Sequence, residues 1–325
     1  MGKLVEGRWV AGEVAPGDAR GAFVRADSTF RSWVREDGTG PHVAEAGRYH
    51  LYVAHACPWA HRTLIARALL GLEEVVSVSI VHPLMGDQGW VFRDEPGLVT
   101  DPIHGADALW QVYVAADSTI SGKATVPVLW DKQAATIVNN ESRDILRMLC
   151  TAFLPLAVTP RPLSPEALRP RIDETLDAIY EPINNGVYRA GFARTQEAYD
   201  DAVHALFAAL DHWEEVLGHQ RYTCGATLSE ADICLFTTLL RFDLVYATHF
   251  KCNLRRLVDY PSLFGFVRDV YQTPGVATTC DVARIKQHYF RSHPFINPHG
   301  IVPIGFDIDF GAPHERASLS GRAST

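Results

Sequence analysis

The chain is poor in several things at once. Six cysteines stand alone at Cys57, Cys150, Cys224, Cys234, Cys252 and Cys280, with no C-x-x-C pair among them. That spacing excludes a zinc knuckle and gives no disulfide framework, so a reducing cytoplasmic setting fits best. Lysine is scarce, 5 against 25 arginines, and no basic run occurs. With a net charge of -8, this argues against general nucleic-acid binding. The opening Met1-Gly2-Lys3-Leu4-Val5-Glu6 lacks an apolar stretch of signal-peptide type. It also fails the myristoylation pattern, since Glu6 stands where Ser or Thr is wanted. The most apolar later stretch, from Ile233 to Tyr246, is broken by Arg241 and Asp243, so a membrane span is not expected.

What remains is ordinary globular material, 47% hydrophobic and 21% charged over 325 residues, enough for two domains. Residues 1–46 read as an extension with one apolar patch, Phe23 to Trp33. Residues 47–152 read as an open α/β sheet: strand 49–54, helix 58–70, strand 75–81, strand 125–131, a turn from Asp131 to Ala135, strand 136–138, and a helix from about Glu141 to Met148. A long irregular insertion, 82–123, interrupts it. Prolines cluster over 153–170 as a linker. Residues 171–292 read as all-helical. Val203, Leu206, Leu210, Trp213 and Leu217 step by 3 and 4 along one face. Ser229-Glu230-Ala231-Asp232 reads as a helix N-terminus, flanked by Leu228 and Ile233 as a hydrophobic staple. A further helix spans about Pro261 to Tyr271. Residues 293–325, with Pro294, Pro298 and Pro303, read as an extended tail.

The chemistry concentrates at Cys57. It sits between a strand and a helix, and Pro58 suits the first helical position, where no backbone N–H is needed. The unpaired N–H groups of a first helical turn stabilise a thiolate and can lower a cysteine pKa from about 8.5 toward roughly 3.5–7.5. Cys57 is therefore the candidate nucleophile; a buried structural thiol is the competing account. Ala60 stands where a dithiol oxidoreductase has its second cysteine. A mixed disulfide at Cys57 then has no local resolving thiol, and an external thiol must complete the reaction, unless folding brings up another cysteine.

Two further segments suit a thiol-bearing peptide. Val126-Pro127 at a strand mouth can expose backbone groups for an added peptide strand, or be an ordinary edge-strand proline. Asn139-Asn140-Glu141-Ser142 opens a helix: Ser142 and its N–H groups can hold a carboxylate, and Glu141 can accept from an ammonium group. Plain helix capping is the alternative. His55, Cys57 and His61 lack a second ligand pair, so no metal is expected. His55, His61 and Arg62 add positive potential near the thiol or sit on the surface.

Cysteine at a helix start, Val-Pro, then Glu-Ser before an all-helical region resembles the glutathione transferase superfamily, with its α/β thioredoxin-like N-terminal domain and all-α C-terminal domain. Cys57-Pro58-Trp59-Ala60-His61-Arg62, His82-Pro83-Leu84-Met85, Gly89-Trp90 and Asn184-Asn185-Gly186-Val187-Tyr188 resemble the Xi class, the glutathionyl-hydroquinone reductases. So do Thr248-His249-Phe250-Lys251-Cys252, His288-Tyr289-Phe290-Arg291-Ser292-His293 and Asn297-Pro298. The resemblance implies that Cys57 takes the glutathionyl group from a glutathionyl-hydroquinone and that a second glutathione resolves the mixed disulfide. It implies glutathione as co-substrate, held by Trp90, Val126, Glu141 and Ser142, with Tyr188 and Tyr289 lining an aromatic pocket. A homodimer paired through the helical domains is also implied. Lys123 stands where the family usually has an arginine; it keeps the charge and loses the planar fork. The Arg and Ala bias suggests a high-GC bacterial source, and some such bacteria use mycothiol, so mycothiol is a second candidate thiol. The rival readings are an omega-like thiol transferase or dehydroascorbate reductase, and a non-catalytic ligand-binding relative.

Overall fold

The computed structural model describes residues 2–12 and 17–321. The chain forms two compact units that do not follow sequence order. The first holds the N-terminal strands, Ala26–Arg161 and Thr279–Pro294; the second holds the short stretch ending at Arg25, Pro162–Thr278 and the segment from Phe295 onward.

The first unit opens with a hairpin, β1 (Gly2–Val5) and β2 (Arg8–Ala11), turning at Glu6-Gly7. Its sheet comprises β3 (Tyr49–Val53), β4 (Val76–Ile80), β5 (Val128–Asp131) and β6 (Thr136–Asn139), in the order β4-β3-β5-β6. β3 runs parallel to β4 and antiparallel to β5, which pairs antiparallel with β6. Central β3 is buried at every position, which is why its sequence YHLYV does not alternate. α1 (Pro58–Leu70) starts at Pro58 and ends at Gly71, whose φ of 63° is the left-handed cap that glycine adopts without a Cβ penalty. Ten of its thirteen residues are buried, and it packs on α3 (Ser142–Cys150). This is the α/β thioredoxin-like arrangement.

The insertion 82–123 is not irregular throughout. It carries α2 (Leu109–Ala116), whose start is closed by Gln111 Oε1, accepting from the N–H groups of Asp107 (2.8 Å) and Ala108 (2.9 Å). The N-terminal stretch is likewise built in: Leu4 is buried, and 28–32 run along β6 through Ser32 N to Val138 O (2.9 Å) and Asn140 N to Phe30 O (3.1 Å).

The second unit is helical: α4 (Arg169–Ile179), α5 (Gly186–Gly191), α6 (Gln196–His219), α7 (Glu230–Leu239), α8 (Ala247–His249) and α9 (Pro261–Gln272). The stripe Val203, Leu206, Leu210, Trp213 and Leu217 is buried along α6. Ser229 and Asp232 close the start of α7 as a capping box. α10 (Val282–Ser292) belongs to the first unit. After it, the chain forms no helix or strand until a short 3-10 helix, Arg316–Gly321. No helix among the described residues is long and apolar enough to cross a membrane.

Candidate active site

Cys57 is the N-cap of α1, with extended backbone (φ -79°, ψ 121°) and no side-chain cap hydrogen bond. Its carbonyl already accepts from His61 N (2.9 Å) as the first helical turn closes. Its thiol is half-exposed and points at the carbonyl of Val126, 3.7 Å from Sγ. The Val126-Pro127 peptide is cis. Ala60 is fully buried one turn on. Cys150, Cys224, Cys234 and Cys252 are buried, and burial pushes the Cys252 thiol far up. Cys280 is half-exposed in the same unit as Cys57; its Sγ lies 3.8 Å from His61 Nε2, which also meets Thr279 Oγ1 at 2.8 Å.

The start of α3 is densely bonded. Glu141 caps it, Oε1 accepting from Arg143 N (3.2 Å), and Ser28 Oγ donates to Oε2 (2.9 Å). Ser142 is buried; its Oγ donates to Glu141 Oε1 (3.4 Å) and accepts from Arg62 Nη1 (3.2 Å). Arg62 is thus no surface charge. It is 2% exposed, lies over the Trp59 ring at 4.4 Å, and ties α1 to the start of α3. The spacing Trp59 to Arg62 is the helical i, i+3 that brings a guanidinium over a ring, and was readable; the bond to Ser142 was not. Ser28 lies in a segment that looked like mere extension.

Tyr113 on α2 joins the segment before Val126 to the segment before α3. Its hydroxyl donates to Thr125 O (2.8 Å) and accepts from Thr125 N (3.2 Å) and Asn140 Nδ2 (3.1 Å). Burial pushes the phenol up, which keeps it a donor. One buried hydroxyl therefore fixes the residue before Val126 against the residue before Glu141.

Trp90 is buried and stacked on His288 of α10, ring centroids 4.9 Å apart and 21° between planes. His288 Nδ1 donates to Pro83 O (2.7 Å) and Met85 N donates to Ser292 Oγ (3.0 Å), so α10 holds the first part of the insertion. Tyr289 is buried, edge-on to His288 (5.1 Å). Lys123 is exposed in the loop before Val126. Tyr188 belongs to the helical unit, on α5, within 6.1 Å of the rings of Phe192, Tyr246 and Phe250 and under Arg25, 5.0 Å from its centroid. Cys57, Trp90, Lys123, Val126, Glu141, Ser142 and Tyr289 share the first unit; Tyr188 does not. Among the described residues, no three His, Cys, Asp or Glu side chains converge as a metal-binding group.

Comparison with known proteins agrees with this architecture. Residues 56–152 match the glutathione S-transferase N-terminal domain and 196–269 the glutathione S-transferase C-terminal domain. The chain is 51% identical to glutathionyl-hydroquinone reductase YqjG of Escherichia coli, over 97% of this chain and 98% of that one. It is 48% identical to glutathionyl-hydroquinone reductase PcpF of Sphingobium chlorophenolicum, covering 94% and 96%. Among solved structures, a Xi-class enzyme from Natrialba magadii superposes with a TM-score of 0.92 at 49% identity, covering 99% of this chain and 98% of that one. The glutathione-bound structure of YqjG gives 0.88 at 49% identity, covering 97% and 99%. With identity near one half over nearly the whole length, the chain belongs to the Xi class of the glutathione transferases, the family of the glutathionyl-hydroquinone reductases.

Proposed function

We propose that the protein reduces S-glutathionyl-hydroquinones to hydroquinones at the expense of glutathione. The Cys57 thiolate attacks the sulfur of the adduct. The sulfur–aryl bond breaks, its electron pair stays with the ring carbon, and that carbon takes a proton. Hydroquinone leaves, and Cys57 carries glutathione as a mixed disulfide. A second glutathione, as thiolate, attacks the glutathionyl sulfur and releases oxidised glutathione with Cys57 restored. The observation that carries this reading is a half-exposed Cys57 at an uncapped helix start with Ala60 where a resolving thiol would stand.

The remaining roles are those the family resemblance implies. A peptide bound at the Val126 backbone brings a sulfur to Cys57, since the Val126 carbonyl is 3.7 Å from Sγ. Glu141 and Ser142 take the γ-glutamyl ammonium and carboxylate. Trp90 and Lys123 take the rest of the thiol, and Tyr188 and Tyr289 the quinol ring. The protein works as a homodimer in the cytoplasm, where glutathione is reduced; light scattering in solution tests the dimer.

Intact mass after incubation with oxidised glutathione tests the mechanism. The wild-type protein gains one glutathione and Cys57→Ser gains none; a wild-type protein without adduct would falsify the mechanism. An exposed Lys123 in place of a forked arginine favours a second reading, in which mycothiol is the physiological thiol. Turnover of glutathionyl-menadiol against mycothionyl-menadiol separates the two. Clear preference for the glutathionyl adduct rules the second out.

A further inference from the structure

The β1–β2 hairpin touches both loops that carry outer thiol contacts in the reading above. On one side, Leu4 forms an antiparallel bridge with Gly122: Leu4 N donates to Gly122 O (2.7 Å) and Gly122 N to Leu4 O (3.0 Å). Glu6 N donates to Ser121 Oγ (2.9 Å) and Gly7 N to Ile120 O (2.9 Å). Lys123 is the next residue after the bridge. Leu4 is 1% exposed, so this is a packed edge rather than a loose tail.

On the other side, Trp9 reaches the Trp90 loop. Its Nε1 donates to Asp87 O (2.7 Å). Its ring lies against Gly89: a Cβ built there would be 3.0 Å from it. It also faces Trp110, with centroids 6.0 Å apart and planes 14° from parallel. Trp110 Nε1 in turn donates to Gln88 Oε1 (3.1 Å). Gly89 is the residue before Trp90, so the indole of Trp9 fixes the backbone from which Trp90 projects.

The turn of the hairpin is tuned to this docking. Gly7 has φ +74°, and a Cβ there would fall 1.9 Å from Ser118 O. Only glycine lets the turn approach the 118–122 loop this closely.

We propose that the β1–β2 hairpin is the positioning element of the thiol site: it holds the Lys123 loop and the Trp90 loop in one register and so sets the fit for the part of the thiol beyond its γ-glutamyl group. The inference rests on the thiol-binding reading of Trp90 and Lys123. It separates two halves of thiol recognition. The γ-glutamyl end is held by the helix start of α3, which the hairpin meets in no hydrogen bond among the described residues; the far end is held by loops that the hairpin braces.

Steady-state kinetics on the full-length protein test it, with glutathione and glutathionyl-menadiol varied independently and thermal midpoints measured alongside. Trp9→Ala raises KM for glutathione about tenfold, equivalent to about 1.4 kcal/mol, while kcat at saturation holds within about twofold. Trp9→Phe keeps the ring and restores most of the KM. Gly7→Ala, which lifts the turn off Ser118, repeats the Trp9→Ala pattern from the opposite side. An unchanged KM in Trp9→Ala and Gly7→Ala, or a parallel fall of kcat with the thermal midpoint, overturns the inference while leaving the Cys57 reaction standing. Absence of a glutathione adduct on the wild-type protein overturns the thiol site and this inference with it.

Discussion

Two helices of this chain begin in opposite ways. α7 is closed by its own side chains. Buried Asp232 accepts from Ser229 N (2.8 Å) and Ser229 Oγ (2.7 Å) with one oxygen, and from Thr223 N (2.7 Å) and Thr223 Oγ1 (2.8 Å) with the other. α1 has a cysteine at the equivalent position and no side-chain cap at all. An N-terminus left without its usual serine, threonine or aspartate gives up about 1 kcal/mol of local stability. The contrast separates a helix start that serves the fold from one that leaves its positive end for a ligand or a thiolate.

The comparison can be broken at either end, and the largest effect belongs to α1. Cys57→Ser should lower kcat/KM for glutathionyl-menadiol by at least about three orders of magnitude, since a hydroxyl cannot form the mixed disulfide and the loss exceeds about 4 kcal/mol of barrier. Retention of more than a tenth of the activity would place the nucleophile elsewhere. At α7 the damage should fall on stability instead. Asp232→Ala leaves two buried N–H groups and two hydroxyls without their acceptor and should cost about 4 kcal/mol in urea unfolding. A fully folded, equally stable variant would show that the box is not the anchor of the helical unit.

Acid gives a third probe at a turn that is closed from within. Burial pushes the Asp131 carboxyl up, but Arg48, His42 and the N–H groups of Ala134 and Gln133 outweigh it and hold it down at about 2. A folded pKa below the unfolded value means stability present above about pH 4 and lost as pH falls toward about 2. Wild type should therefore lose about 2 kcal/mol more than Asp131→Asn between those limits. Equal losses would assign the acid sensitivity to other carboxylates. The smallest effect is the sharpest test of the contrast itself. Ser229→Ala should cost about 1 kcal/mol, whereas the inactive Cys57→Ser should be as stable as wild type or more so by about 0.5 kcal/mol, because serine caps. If Cys57→Ser were markedly less stable, the thiol would be part of the structure of α1 rather than a departure from it.

Much of this was legible in the residues. Pro58 and Gly71 bound α1, the 3-and-4 stepping of α6 survives as its buried face, and Ser229 with Asp232 closes α7. These are local signals, each written within a few positions. What stayed hidden depends on partners far along the chain. α2 has no polar N-cap residue and is apolar nearly all round, so neither caps nor periodicity announce it. β2 is mostly exposed, and the hairpin is held by 118–122 and the 86–90 loop rather than by its own pattern. Arg62 bonds a serine 80 positions away. Tyr113, which links Thr125 to Asn140, lay inside a stretch that looked unstructured.

The return of the chain to its first unit has a consequence for how the protein is made. Cys57 and His61 leave the ribosome early, but Thr279, which meets His61, follows 218 residues later, and His288, which braces Pro83, follows 205 residues after it. At about 5–20 residues per second, that delay is about 10–40 s. Throughout it, the nascent first unit lacks its final helix, with the reactive thiol already synthesised. The last helix thus acts as a signature on the finished polypeptide: a chain interrupted anywhere in the helical unit carries the nucleophile but not the α10 segment that holds the insertion beside it.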